Sequence, residues 1–203
     1  FRSYLSNRQQ LCSISSTLSD PLQVSCGVPQ GSILGPLLFI LYVNDLPTCF
    51  TKCHVNIYAD DTAFYVSGPD AQHVSEILQR EMETVHRWLC ANKLSLHIGK
   101  TSSILIRSRK KCNTSQSKLN ISLCNQSIEQ VECFKYLGVV IDSELNFNEH
   151  MKELVSKLKR SIGILRRASK FVNQHTRINL YNTMILPHFD YCCTLWGTGL
   201  SKT

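Results

Sequence analysis

The residues best suited to chemistry in this chain are two adjacent carboxylates. Tyr58-Ala59-Asp60-Asp61 stands between two stretches of alternating apolar character, His54 to Ala59 and Thr62 to Val66. Like charges forced together between apolar strands are costly to bury, and something cationic should offset them. In a regular strand neighbouring side chains point to opposite faces, but at a hairpin turn both can lean to one side and share divalent ions. Hard carboxylate oxygens suit Mg²⁺. The dipeptide alone also has a plainer alternative, a solvated hairpin tip.

Charge of the other sign gathers further along. In the stretch from Glu149, Lys152, Lys157, Lys159, Arg160, Arg166, Arg167 and Lys170 oppose only Glu149 and Glu153. A solvated helix face would mix the signs. Unbalanced positive charge fits sequence-independent contacts to a phosphate backbone, and the cluster Arg107, Arg109, Lys110, Lys111 extends it.

The elements that must position these residues are legible from period and punctuation. Phe1 to Gln10 reads as the end of a helix running into a Ser/Asn turn, and Pro21 to Cys26 as a short strand. Gly27-Val28-Pro29-Gln30-Gly31-Ser32 is a loop, since its Gly and Pro residues continue neither element. Ser32 should cap a helix through Leu37-Leu38-Phe39-Ile40-Leu41-Tyr42-Val43, with Pro36 tolerated in the first turn. A helix apolar on all sides is expected to be buried on all sides. Residues 54–66 form a hairpin around the acidic turn. Val74, Ile77, Leu78, Met82, Val85, Trp88 and Leu89 fall at helical spacing, so an amphipathic helix covers 71–91 with Asp70 as its cap. Strands are expected at Leu94 to His97, Ser103 to Arg107, Ile121 to Leu123, Ser127 to Val131 and Phe134 to Ile141. Met151, Leu154, Val155, Leu158, Ile162 and Leu165 mark a second amphipathic helix; Ile178, Tyr181, Met184 and Ile185 mark a third, before Pro187.

Composition sets the wider frame. With 203 residues, 43% apolar and 18% charged, the chain can build a core, which excludes wholesale disorder. The longest apolar run, Ile33 to Val43, is interrupted by Gly35 and Pro36 and is too short for a bilayer helix, so no membrane partner is expected. The formal charge is +7, and all of the positive excess lies after residue 100. A basic half beside a neutral one points to a polyanion partner, most commonly nucleic acid. The ten cysteines lack the paired spacings of a zinc site, Cys49-x3-Cys53-His54 being the nearest approach, and read as buried free thiols of a reducing compartment.

Taken in order, these motifs carry a resemblance. Pro29-Gln30-Gly31-Ser32 before a buried helix, then Tyr58-Ala59-Asp60-Asp61 in a hairpin, resembles the palm of reverse transcriptases of non-LTR (LINE-type, Jockey-like) retrotransposons. Asn92-Lys93-Leu94 with Lys100-Thr101 resembles the segment after the palm helix. Phe134-Lys135-Tyr136-Leu137-Gly138-Val139 resembles the primer-grip strand, the basic helix from Glu149 the thumb, and Leu180-Tyr181 with Tyr191 and Trp196 the region beyond it. The group II intron maturase-like polymerases are the alternative among enzymes, and Tyr136-Leu137-Gly138-Val139 followed by Ile141-Asp142 fits the LINE-type pattern better. A nucleic-acid-binding remnant without catalysis is the alternative from another class.

The resemblance implies an α+β fold: a partial right-hand polymerase palm, an antiparallel sheet with packed helices, over residues 1–145, and an α-helical thumb over 146–203. It implies RNA-directed DNA synthesis with an RNA template, a DNA primer and deoxynucleoside triphosphates, in the nucleus and cytoplasm. Asp60 would hold both catalytic Mg²⁺ ions, with Asp61 a weaker ligand or electrostatic support. Gln30 and Gly31 would lie beside the incoming nucleotide and templating base, Gly31 letting the backbone come close. Lys100 would neutralise triphosphate charge or protonate the leaving group, or be a solvated Lys in a turn. Tyr136, Leu137 and Gly138 would set the primer terminus, or be ordinary strand core. Arg109, Lys110, Lys111, Lys157, Lys159, Arg160, Arg166 and Arg167 would contact the nucleic-acid backbone. The family's palm also places a metal-binding aspartate several tens of residues before the Pro-Gln-Gly motif. Asp20, in a Ser19-Asp20-Pro21 turn, is the only acid before Gln30. The expectation is therefore a truncated copy, without fingers, sugar-checking residue or endonuclease domain, whose two-metal site is incomplete and inactive alone.

Overall fold

Turn formers crowd the first third of the chain, and it folds into short elements. The structure, a computed structural model, describes residues 1–108 and 118–197; Arg109, Lys110, Lys111 and Cys112 lie outside the described residues. The chain forms two compact units, Phe1–Tyr65 and Val66–Thr203. Its mixture of helix and strand is the expected α+β class.

In the first unit, α1 (Arg2–Leu5) leads into four two-residue strands, β1 (Gln9–Gln10), β2 (Ser13–Ile14), β3 (Thr17–Leu18) and β4 (Leu22–Gln23). β1 pairs with β4 and β2 with β3, both antiparallel. In the helix α2 (Leu34–Val43) the N-cap position falls on Ile33, not on Ser32 as expected, and the Ser32 hydroxyl just before it accepts the Gly35 N–H at 3.0 Å. Its expected burial on every side is not met. Gly35 and Val43 are buried, but Leu37, Ile40, Leu41 and Tyr42 are exposed. Covering a helix with no polar face needs neighbours all round, and the rest of this unit is two- to five-residue strands and one-turn helices. A 3₁₀ turn at Leu46–Cys49 precedes β5 (His54–Tyr58) and β6 (Asp61–Tyr65), which pair antiparallel as the alternation predicts. Phe50 and Phe64 stack in tilted fashion, ring centroids 5.1 Å apart.

The second unit opens on α3 (Ala71–Ala91), with the predicted limits and cap: Asp70 Oδ1 accepts the His73 N–H at 2.8 Å. Val74, Met82 and Val85 are buried along one face. The expected strand at Leu94 to His97 is absent. Lys93 takes a positive φ of 53°, and the Leu94 N–H turns back to the Leu89 carbonyl, so this backbone closes the helix instead. β7 (Ser102–Ser103) pairs with a later strand; β8 (Ser122–Leu123) and β9 (Gln126–Ser127) form a hairpin over Cys124 and Asn125; β10 (Glu129–Gln130) runs parallel to β7. Gln79 and Ser75 of α3 accept the backbone N–H groups of Ser122 and Asn120, which ties the β8 segment to the helix.

The stretch Phe134 to Ile141 is not one strand but two, β11 (Cys133–Tyr136) and β12 (Val139–Asp142). Tyr136 pairs with Val139, leaving Leu137 and Gly138 as a two-residue turn with φ values of 45° and 86°. A turn with both central residues at positive φ matches the twist of the strands it joins, and Gly138 makes it accessible. The long helix α4 (Asn148–Ala168) follows, then α5 (Gln174–Met184), α6 (Leu186–Asp190) and α7 (Cys193–Trp196). Leu154, Leu158, Ile185 and Trp196 form their buried core.

Among the described residues the strands pair only in twos, five ladders antiparallel and one parallel. No helix of the described residues is long and apolar enough to cross a membrane. The described cysteines are free, and exposed or half-buried rather than buried. Apart from Cys90, exposed near the end of α3, they lie in short elements and turns.

Candidate active site and nucleic-acid surface

The acidic pair sits at the end of the β5–β6 ladder. Tyr58 pairs with Asp61, so Ala59 and Asp60 make the turn itself and Asp61 is the first residue of β6. Ala59 has a φ of 52°, a conformation that favours glycine. Both aspartates are exposed, so the burial cost anticipated from their apolar flanks does not arise. No ion pair among the described residues engages either one, and no third His, Cys, Asp or Glu joins them in a metal-holding group. Two unpaired carboxylates fit Mg²⁺ by donor chemistry, because that ion commonly takes one or two carboxylates and completes its shell with water and substrate phosphate.

Gln30 and Gly31 lie in the same unit, in a loop fixed at both ends. The Arg8 guanidinium donates to the Gly27 carbonyl, and Ser32 receives the Tyr4 hydroxyl at 2.6 Å. Gly31 has a φ of +79°, and a Cβ there would meet nothing within 4 Å. Glycine therefore serves the turn's conformation and leaves an open backbone face. Gly35, not singled out by the sequence reading, supports this loop. A Cβ on it would lie 2.8 Å from Ser32 Oγ, and its N–H donates to that oxygen. The available signal was a glycine inside an otherwise apolar helix.

The remaining predicted residues belong to the second unit. Lys100 is exposed at the end of a 3₁₀ turn, Ile98–Lys100. Tyr136, Leu137 and Gly138 form the β11–β12 tip rather than strand core. Here the Tyr191 hydroxyl donates to the Leu137 carbonyl at 2.5 Å. Asp142, at the end of β12, is 7% exposed, and its carboxylate accepts three backbone N–H groups: Glu144 at 3.0 Å, Asn146 at 3.1 Å and Phe147 at 2.6 Å. The loop is thus wound around one carboxylate, and Leu145 and Phe147 adopt positive φ to reach it. Sequence alone marked Asp142 only as part of a pattern. His150 on α4 is buried, and its Nδ1 accepts the Val140 N–H at 3.4 Å. Burial pushes its pKa below the ordinary 6.5; Lys157 and Lys135 push the same way, and Glu153 opposes them.

The two acids of α4 are already occupied. Glu149 holds Lys152 at 2.6 Å, and Glu153 holds Lys135 of β11 at 3.0 Å. The Lys135 ammonium keeps the Glu153 carboxyl below the usual carboxylate range, and the bond to Glu149 raises the Lys152 pKa. Lys157, Lys159, Arg160, Arg166 and Arg167 are left without an ion pair among the described residues. Lys159 and Arg166 are seven residues, about two turns, apart, as are Arg160 and Arg167, so exposed cations form two adjacent stripes on the helix.

An acid-tipped hairpin and an unmatched basic helix in an α+β chain suit an enzyme of nucleic-acid synthesis, and similarity to known proteins defines the class. The family model described as reverse transcriptase (RNA-dependent DNA polymerase) matches residues 1–141. The probable RNA-directed DNA polymerase from transposon X-element of Drosophila melanogaster is 29% identical over 97% of this chain and 22% of its own length. The RNA-directed DNA polymerase from mobile element jockey of the same organism is 24% identical, with the same coverage. The Pol polyprotein of a type-1 retrotransposable element R1 of Nasonia vitripennis is 29% identical over 84% of this chain and 43% of its own length. No solved structure shows a significant match. The chain belongs to the reverse transcriptase family, in its non-LTR, LINE-type branch. It spans about a fifth of the X-element and jockey polymerases.

Proposed function

We propose that the chain forms part of the palm and the thumb of an RNA-directed DNA polymerase that copies the RNA of a non-LTR retrotransposon. The observation that carries this reading is the tip of the β5–β6 hairpin: two exposed carboxylates, without an ion pair among the described residues, inside the stretch that the family model matches. Asp60 and Asp61 would hold Mg²⁺, whose chemistry is to activate a primer 3′-hydroxyl and stabilise the leaving pyrophosphate. The other residues bind and orient. Gln30 and the open backbone face at Gly31 line the place of the incoming nucleotide, and Lys100 meets triphosphate charge. The Leu137-Gly138 turn touches the primer end, and the stripes on α4 hold the phosphates of template and primer. The reaction belongs in the nucleus and cytoplasm, within a particle of element RNA and protein.

The test is primer extension on a primed RNA template by the X-element polymerase carrying this chain in place of its matching stretch. Asp60→Asn should lower the rate by about 100-fold or more, since displacement of reacting groups by about an ångström already costs that much. Extension that persists undiminished in Asp60→Asn would refute the assignment. The unmatched cations of α4 favour a second reading, nucleic-acid binding without catalysis, and the chain itself separates the two. Lys159→Ala with Arg166→Ala should flatten the logarithmic salt dependence of duplex binding by about two phosphate contacts for every sequence alike. If the polymerase carrying this chain extends no primer even without the Asp60 substitution, while the chain shows this binding loss, binding alone is the function.

A further inference from the structure

The Leu137-Gly138 turn is braced by a distant part of its own chain. The Tyr191 hydroxyl bonds to the Leu137 carbonyl at 2.5 Å, and a Cβ placed on Gly138 would lie 3.4 Å from Tyr191 Cε1, so the ring lies directly against the turn. Tyr191 is held in turn: the Trp196 indole N–H donates to its carbonyl at 3.0 Å. Trp196 is buried, with its ring centroid 6.0 Å from that of His150. His150 accepts the Val140 N–H on β12, the strand that leaves the turn. These contacts form a closed circuit from the turn through Tyr191, Trp196 and His150 back to the hairpin.

An unbraced hairpin tip fluctuates readily, because few buried contacts resist local opening. Placing a reacting terminus tolerates errors well under an ångström. We infer that Tyr191 is a positioning residue: its hydroxyl sets the Leu137-Gly138 turn in the conformation that receives the 3′ terminus of a primer strand. The inference rests on the reading of this turn as the primer contact. It places the brace in a segment outside residues 1–141, the stretch that the family model matches.

The test uses the 203-residue chain and two RNA–DNA duplexes of equal length, one ending in a recessed DNA 3′-hydroxyl and one blunt. The unsubstituted chain should prefer the recessed end. Tyr191→Phe keeps the ring and removes only the hydroxyl. It should reduce that preference by about three- to tenfold, the worth of one hydrogen bond, with blunt-duplex affinity unchanged. Hydrogen exchange at the Gly138 and Val139 amides should quicken in the same variant. A general loss of structure would lower both affinities together and leave their ratio alone, as should the Lys159→Ala, Arg166→Ala control. A preference that is present and unaltered by Tyr191→Phe overturns the inference while leaving the primer reading intact. No preference in the unsubstituted chain overturns both.

Discussion

Two hairpins of this chain have tips of the same length and opposite character. β5–β6 and β11–β12 each close with two turn residues, Ala59-Asp60 and Leu137-Gly138. The first has an alanine at a positive φ of 52° and two exposed carboxylates that no ion pair among the described residues engages. The second has glycine where φ is 86°, a tyrosine ring against the turn, and a strand that ends in the thrice-bonded Asp142. The first tip leaves its two carboxylates exposed. The second has its groups engaged from within, and is a rigid edge against which something can be set. A site that holds a cation needs open ligands, whereas a surface that positions a strand end needs stiffness.

That contrast can be broken from either side. The largest expected effect is at the open tip: in the X-element polymerase carrying this chain, Asp60→Asn should remove about 100-fold or more of primer extension, and in the chain itself it should leave stability within about 0.5 kcal/mol, because the side chain has no ion-pair partner to lose among the described residues. A large drop in the urea midpoint would mean that this tip too is built for structure. At the braced hairpin the balance reverses. Asp142→Ala strips three backbone N–H groups of a buried acceptor and should cost about 2–4 kcal/mol, read from urea unfolding. A loss below about 0.5 kcal/mol would show that the loop does not depend on the carboxylate.

Smaller effects follow from the turn residues themselves. Gly138→Val puts a branched side chain at positive φ against Tyr191 and should cost about 1–2 kcal/mol. Ala59→Gly relieves the same conformation at the open tip and should stabilise by up to about 1 kcal/mol, less the greater freedom of glycine in the unfolded chain. Thermal unfolding of both variants would show opposite signs if the two backbones differ as described.

The smallest effect is the pH dependence carried by His150. Its folded pKa lies below 6.5, so the unfolded chain binds the proton first as pH falls. Its contribution is fully present above about pH 6.5 and is lost as pH falls from there towards the depressed folded value, with a slope of at most about 1.4 kcal/mol per pH unit. His150→Asn, which cannot titrate, should flatten the stability profile across that window; an unchanged slope would place the titration elsewhere.

What sequence alone determined here is local. The limits of α3 followed from its apolar period and the Asp70 cap, and both lie within the span of one helix. The acidic hairpin was legible because strand alternation and a two-residue turn involve only near neighbours. Ser32 was readable as a helix-entry residue because its partner, Gly35, is three residues away. Tertiary structure decided whatever depends on residues far apart or on surface left uncovered. Periodicity presented Phe134 to Ile141 as a single strand, since apolar residues continue through the turn. Asp142, His150, Tyr191 and Trp196 act through partners up to 54 positions distant, and no period or spacing announces them. The exposure of α2 likewise escaped its composition. An apolar sequence states that a helix gains by burial, but only the packed chain determines how much of its surface has a neighbour.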